Sequence, residues 1–207
     1  MSLRERIERH LHGTTPGGDP LEPLAAELSP LQLATLRRQL PEPLTLAAVM
    51  VPLVERPHGL TVLLTQRASH LKAHPGQISF PGGRVEAGDA GPWETALREA
   101  EEEIGLAPHF ASLAGYLRDH VVLTGFRITP AVAFVRPGFE LALDLTEVEE
   151  AFEVPLEFVL DPANRVARER VYAGQSFTTW DIPYGERHIW GATAAMLLSL
   201  AERLREV

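Results

Sequence analysis

The chain has 207 residues, 45% of them hydrophobic and 23% charged, which is enough apolar material for a buried core and a length suited to one domain with a short extension. It contains no cysteine, which excludes a disulfide framework, a thiolate nucleophile and a cysteine-ligated zinc or iron–sulfur site, so any metal must rest on carboxylates, imidazoles or carbonyls. A formal net charge of −9 speaks against a nucleic-acid partner, no run approaches about 18 consecutive apolar residues, and the opening MSLRERIERHLHG lacks a secretory apolar stretch, so a cytoplasmic protein with no membrane partner is expected.

Residues 1–42 read as a helical arm: Leu3, Ile7 and Leu11, then Leu31, Leu33, Leu36 and Leu40, stand at helix-like spacings around the turn-rich TTPGGDPLEP. Residues 43–207 read as one domain. Within it TLAAVMVPLVE (45–55) and LTVLLTQR (60–67) are β-rich runs split by RPHG and are expected to pair. ASLAGYLRDHVVL (111–123) and RITPAVAFVRP (127–137) are again strand-like, joined through Thr124 and Gly125. DLTEVEEAFEVPLEFVLDP (144–162) reads as a loop running into short helical pieces, RVYAGQSFTTWDI as two further strands, and ATAAMLLSLAERLREV as a terminal amphipathic helix. The expected class is α+β, a mixed sheet with helices on its faces.

Between the strand pairs stands FPGGRVEAGDAGPWETALREAEEEIGL, residues 80–106, whose helix crowds Glu99, Glu101, Glu102 and Glu103 into little more than one turn. At about 100° per residue, Trp93, Ala96, Leu97, Ala100 and Ile104 share one arc, the apolar stripe of a helix packed on a sheet. With Glu99 taken as the origin, Glu103 lies about 40° to one side, Glu102 about 60° to the other and Glu101 about 160° away. Three carboxylates converge beside the buried stripe. Such neighbours repel, and a hard divalent cation with its preference for oxygen ligands turns repulsion into binding; the competing reading is a solvated acidic face. Gly82 and Gly83 permit close backbone approach to a metal or a phosphate, and Gly105 followed by Leu106 is the helix stop.

Gly83, Arg98, Glu99, Glu102, Glu103, Gly105 and Leu106 resemble the Nudix box, whose core here reads REAEEEIGL. Asp89 stands where that family usually has Glu, and the gap from it to Arg98 is longer by a residue. LLTQRASHLKAHPGQISFPGGRVEAGD and IWGATAAML resemble the coenzyme A pyrophosphatase branch, and the resemblance runs from about Thr45 to the C-terminus. It implies a Nudix-type α/β/α sandwich and an Mg²⁺- or Mn²⁺-dependent hydrolase. The implied substrate is the diphosphate of coenzyme A or its derivatives, split by an activated water into 3′,5′-ADP and 4′-phosphopantetheine or its acyl form. Carried over onto this chain, Glu99 and Glu103 are principal metal ligands, Glu102 a further ligand or the group that orients the water, and the Gly83 carbonyl an extra ligand. Arg98 orients the carboxylates, and Glu147 or Glu150 is the candidate general base.

An anionic substrate on a negative protein needs local positive charge. Arg67, Lys72, His74 and Arg84 cluster in sequence around the glycine loop, and Arg67 at a strand end is the leading phosphate contact. The Thr124–Gly125 turn resembles a substrate-side loop of the same branch. His70 and His74 lack zinc-type spacing and read as loop residues. Trp190, flanked by His188 and Gly191, is expected to pack the last helix on the sheet rather than to stack on adenine. The partner is a small molecule, coenzyme A or another nucleoside diphosphate derivative, and the protein a monomer or homodimer. The rival readings are a Nudix hydrolase of ADP-ribose, dinucleotide coenzymes or nucleoside triphosphates, and a non-catalytic nucleotide-binding regulatory module, which is expected to show a broken carboxylate set.

Overall fold

Strand β1 (Thr45–Arg56) is apolar at nearly every position because it is covered on both faces, and it forms the spine of the structure. The computed structural model describes residues 1–21, 29–172 and 175–205. Along all but its last two residues β1 pairs in parallel with β7 (Phe126–Val135), from Thr45 opposite Phe126 to Val54 opposite Val135. On its other side β1 pairs with β2 (Gly59–Arg67) only at its end, from Leu53 to Arg56, and with β4 (Gly82–Arg84) near its start, from Ala47 to Val49. The diverging end of β2 is taken by β3 (Ile78–Ser79). Phe80 and Pro81 therefore cross the gap where two strands splay apart, with the Pro81 carbonyl accepting from the Met50 amide at 2.9 Å. β5 (Ala111–Tyr116) and β6 (His120–Val122) lie against β7, and β8 (Val148–Pro155) lies against β2, completing a mixed eight-stranded sheet.

Alternation along the strands sends side chains into two cores. On one face Ala48, Met50, Leu63, Ala131 and Ala133 pack on Ala96, Ala100 and Ile104 of α3 (Pro92–Ile104). On the other, Val51, Leu53, Val132 and Phe134 pack on α1 (Leu3–Leu11), α4 (Leu156–Leu160) and α5 (Gly191–Arg203). The result is the expected α+β arrangement, an α/β/α sandwich around a mixed sheet. α2 (Pro30–Gln39) follows a Ser29 capping box and packs Leu36 on Leu21. No helix among the described residues is long and apolar enough to cross a membrane.

In the first segment, Ile7 and Leu11 of α1 are fully buried in the α5-side core, and the Arg6 guanidinium donates to the Leu204 carbonyl. A difference from expectation concerns residues 144–162, where a strand stands in place of the expected loop and helical pieces: 148–155 is β8, and only 156–160 is helical. Its glutamates obscure the alternation because this strand borders the sheet and its carboxylates are used laterally. Glu150 pairs with Arg187, Glu153 with Arg56 and Thr61, and Glu149 accepts from the Ser69 amide. Residues 111–123 break into β5 and β6 around Leu117, whose amide donates to Pro130. β9 (Val166–Tyr172), β10 (Gln175–Tyr184) and β11 (Arg187–Ile189) form a separate three-stranded sheet.

Candidate functional site

The carboxylates are placed by the ends of α3 and by the glycine loop it lies against. Gly105 takes a left-handed conformation at φ 69°, so that the Gly105 and Leu106 amides close on the Glu101 and Ala100 carbonyls and the helix ends there. The helix meets β4 at its two glycines. A Cβ on Gly82 would overlap the Ala48 carbonyl oxygen and the Val49 backbone, and a Cβ on Gly83 would overlap the Glu99 carboxylate. Only glycine lets that carboxylate rest on the strand. Glu103 is 5% exposed, and its Oε2 accepts from the Gly82 amide at 3.2 Å. Glu101 is exposed, as the 3.6-residue period requires, and Glu102 is exposed as well.

Arg98 holds this set from one side. Its Nη1 donates to Glu99 at 2.8 Å and to Glu102 at 3.1 Å, while its Nε and Nη2 grip Asp89 at 3.2 and 3.1 Å, and Nη2 also reaches the Arg84 carbonyl at 3.0 Å. Asp89 is further held by the Glu86 amide at 2.9 Å and the Thr95 hydroxyl at 2.8 Å. These bonds, the Arg98 guanidinium first, keep the Asp89 carboxyl well below the usual carboxylate range. Asp89, assigned no role from the sequence, is thus the anchor of Arg98.

Negative charge is concentrated where solvent is thin. Burial pushes the Glu103 carboxyl up to about 8, with the charges of Glu99 and Glu147 adding and the Gly82 amide and Arg67 opposing. Burial also raises Glu99, against the pull of Arg98. A pair of crowded, partly desolvated carboxylates beside peptide carbonyls is a donor set suited to a hard divalent cation. Among the described residues, no three carboxylates or imidazoles already stand at ligand spacing, and both Glu99 and Glu102 are engaged by Arg98.

The other candidates divide. Glu147 is exposed and acts electrostatically on both Glu99 and Glu103. Glu150 is held by Arg187, whose guanidinium lies 4.3 Å from the Phe152 ring centroid, and belongs to a different cluster of contacts. Arg67 ends β2, its charge acts on Glu103, and the following loop folds back on it through the Gln77 carbonyl and the Gly76 amide. Arg84 is exposed, 5.2 Å from the Phe126 ring centroid. Gly125 turns β6 into β7 at φ 89°, packed on Pro41, with Thr124 exposed before it. His70, Lys72 and His74 lie on the loop between β2 and β3, as expected.

A cleft of about 2140 Å³ opens on the α5 side of the sheet, walled by Arg67, Val49, Ile128, Thr124, Arg170 and Trp190 among others. Glu99 and Glu103 do not line it; Arg67 is the residue shared by the cleft and the carboxylate cluster. The cluster has the chemistry for a cation, and the cleft has the room for whatever is attached to the group being cleaved. Trp190 corrects the expectation made for it. It is 36% exposed on the cleft, with the Arg170 guanidinium 4.8 Å from its ring centroid, while its neighbour Ile189 is fully buried and does the packing.

Comparison with known proteins bears on this geometry. The NUDIX domain family matches residues 44–174. The chain is 40% identical over 156 residues to the Nudix hydrolase NudL of Salmonella paratyphi B, covering 75% of this chain and 80% of that protein, and it matches NudL of Salmonella dublin equally. The crystal structure of the MutT protein from Methanosarcina mazei Go1 has the same fold, with a TM-score of 0.53 at 18% identity over 81% of this chain and 99% of that one.

Proposed function

The chain belongs to the Nudix family of hydrolases, and from that premise we propose that it hydrolyses the diphosphate of coenzyme A or a derivative to 3′,5′-ADP and 4′-phosphopantetheine or its acyl form. The observation that supports this reading most is Arg67, which lines the cleft and whose charge acts on Glu103. A diphosphate held there lies between a cation site and a space large enough for two sizeable flanking groups. The run LLTQR to FPGG, which places Arg67 and the glycine loop, is the part of the sequence that favours coenzyme A.

In this reading Mg²⁺ or Mn²⁺ is held by Glu99 and Glu103, with the Gly83 carbonyl or Glu102 completing the protein's share. Bound there, the cation supplies charge neutralisation at the diphosphate oxygens. The chain's own residues do the rest. Asp89 fixes Arg98, and Arg98 fixes the Glu99 carboxylate against Gly83. Arg67 binds a phosphate oxygen with a charge-assisted hydrogen bond. Glu147, exposed beside the two ligands, takes the proton from the attacking water, a role for which Glu150 is badly placed because Arg187 engages it. Water attacks phosphorus, the bridging P–O bond breaks, and the leaving phosphate departs with the bridging oxygen.

The test is product analysis with purified protein, Mg²⁺ or Mn²⁺, and separately coenzyme A, ADP-ribose, a dinucleotide coenzyme and a nucleoside triphosphate. Preferential release of 3′,5′-ADP and phosphopantetheine is the expected outcome. Preference for another member of the panel would discard coenzyme A while keeping the hydrolase, and no cleavage of any would discard both.

A further inference from the structure

We infer that Trp190, with Arg170 across its ring, is the seat of the planar base of the nucleoside diphosphate substrate, an inference that rests on the reading of the carboxylate site given above. An indole at the head of a 13-residue helix is an obvious packing residue, yet the structure gives that role to Ile189, which is fully buried and paired with Ile182. Gly191, in the left-handed region at φ 64°, then turns the chain abruptly into α5 and leaves the indole of Trp190 facing the cleft, 36% exposed. The indole thus presents a rigid aromatic surface with a polar edge to the cleft, the kind of surface on which a flat group stacks.

Two further observations make it part of the same site. The guanidinium of Arg170 already lies over the ring at 4.8 Å from its centroid, which shows that one face of the indole admits a flat, electron-poor group. Arg170 is 45% exposed at its side chain, with contacts of 3.1 Å to Thr179 and 3.5 Å to Asp181, so a base arriving at the ring meets a long, movable partner that stacks equally well on it. The wall between Trp190 and the carboxylates is continuous. The Arg67 amide donates to the Gln77 carbonyl at 3.0 Å, the Gln77 side-chain amide lies against Gly191, and the Thr193 hydroxyl donates to the Ile78 carbonyl at 2.9 Å. A ligand whose phosphates rest at Arg67 therefore has Trp190 on the wall of the same cleft, joined to Arg67 through these contacts. Base stacking on an aromatic ring tolerates different bases, so this surface supplies affinity for the nucleoside end of the substrate.

The experiment uses the full chain with chelator, so that nothing is hydrolysed, and follows tryptophan fluorescence on titration with ADP and, separately, with inorganic pyrophosphate. Quenching by ADP and none by pyrophosphate is expected in the native protein and in Trp180→Phe; Trp190→Leu is expected to abolish it. In hydrolysis assays with metal, Trp190→Leu should raise KM for the preferred substrate about tenfold, with a smaller change in kcat, and Trp190→Phe should restore most of the loss. An unchanged KM in Trp190→Leu, or quenching that persists in Trp190→Leu and disappears in Trp180→Phe, would overturn the inference while leaving the hydrolase intact. A native protein that cleaves no diphosphate at all would instead overturn the function reading, and the ADP titration would then decide the base seat by itself.

Discussion

On the α3 side of the sheet Glu99, Glu103 and Glu147 gather negative charge around a buried carboxyl, whereas the cleft beneath α5 is walled by Arg67, Arg165 and Arg170 with Glu202 as the single acidic residue among its described lining residues. The formal charge of −9 describes neither region. A protein that must hold a cation and an anion together gains from keeping the two sets of side chains on separate elements that meet at one residue, here Arg67. Uniform mixing would let the arginines neutralise the carboxylates directly and leave less affinity for either ligand. Arg98 is the exception that shows the rule, because its charge is tied down by Asp89 as well as by Glu99.

The largest effect comes from breaking the acidic side. Glu103→Gln keeps the shape and the Gly82 contact but removes the charge, and activity should fall about 10³-fold. Stability should move the other way. A carboxyl raised from 4.5 to about 8 in the folded protein binds more protons folded than unfolded between those values, so its contribution is complete below pH 4.5 and is lost as pH rises through about 8. In chelator, the native protein should therefore melt at a lower temperature at pH 8 than at pH 5.5, and Glu103→Gln should flatten that difference. Added Mg²⁺ should restore the native protein at pH 8 and leave the variant almost unmoved. Melting curves at the two pH values, with and without metal, check all three statements.

A smaller and more selective break is Gly83→Ala. The new methyl group meets the tip of the Glu99 side chain rather than backbone, so the side chain can yield and the fold should lose little. The carboxylate nevertheless leaves its place on β4, and a displacement of about an ångström is enough to cost about 10²-fold in rate. Gly82→Ala is the contrast, since its methyl group meets the backbone of Ala48 and Val49 and should lower the melting temperature outright. Rate and melting temperature measured on the pair separate a positioning glycine from a packing one; equal stability losses in both would show that Gly83 does not position Glu99.

The acidic helix was legible because its information is local. A period of 3.6 residues sends Glu101 outward and Ala96, Ala100 and Ile104 inward, and the structure agrees. Periodicity could not say that Glu103 would be the deeply buried carboxylate while Glu102 turned to Arg98, because that depends on where β4 lies over the helix. Asp89 escaped for a similar reason: its grip on Arg98 is made by loop closure across an irregular gap, and spacing carries no sign of it. β8 was misread because its acidic residues serve lateral partners on distant strands. Trp190 was misread because composition says that tryptophan packs, while the left-handed turn at Gly191 that leaves it facing the cleft is a matter of backbone geometry.

The smallest expected effect sharpens the cleft side of the comparison. His120 on β6 lines the cleft, its Nε2 has no hydrogen-bond partner among the described residues, and burial lowers its pKa from 6.5 to about 4 against the opposing charge of Asp119. The folded protein keeps this imidazole neutral where the unfolded chain protonates it, so its contribution is complete above pH 6.5 and is lost as pH falls toward 4. At pH 5 the loss amounts to about 2 kcal/mol, worth about 4 to 8 °C in melting temperature for a chain of this size. The carboxylate side predicts the opposite slope, because Glu103 loses stability as pH rises. His120→Gln should therefore remove the decline between pH 6.5 and 5 while leaving the decline toward pH 8 in place, and Glu103→Gln should do the reverse. Two variants that each erase one limb would show that the regions titrate independently; one variant that erases both would show that the sheet between them couples protonation at Glu103 to burial of His120.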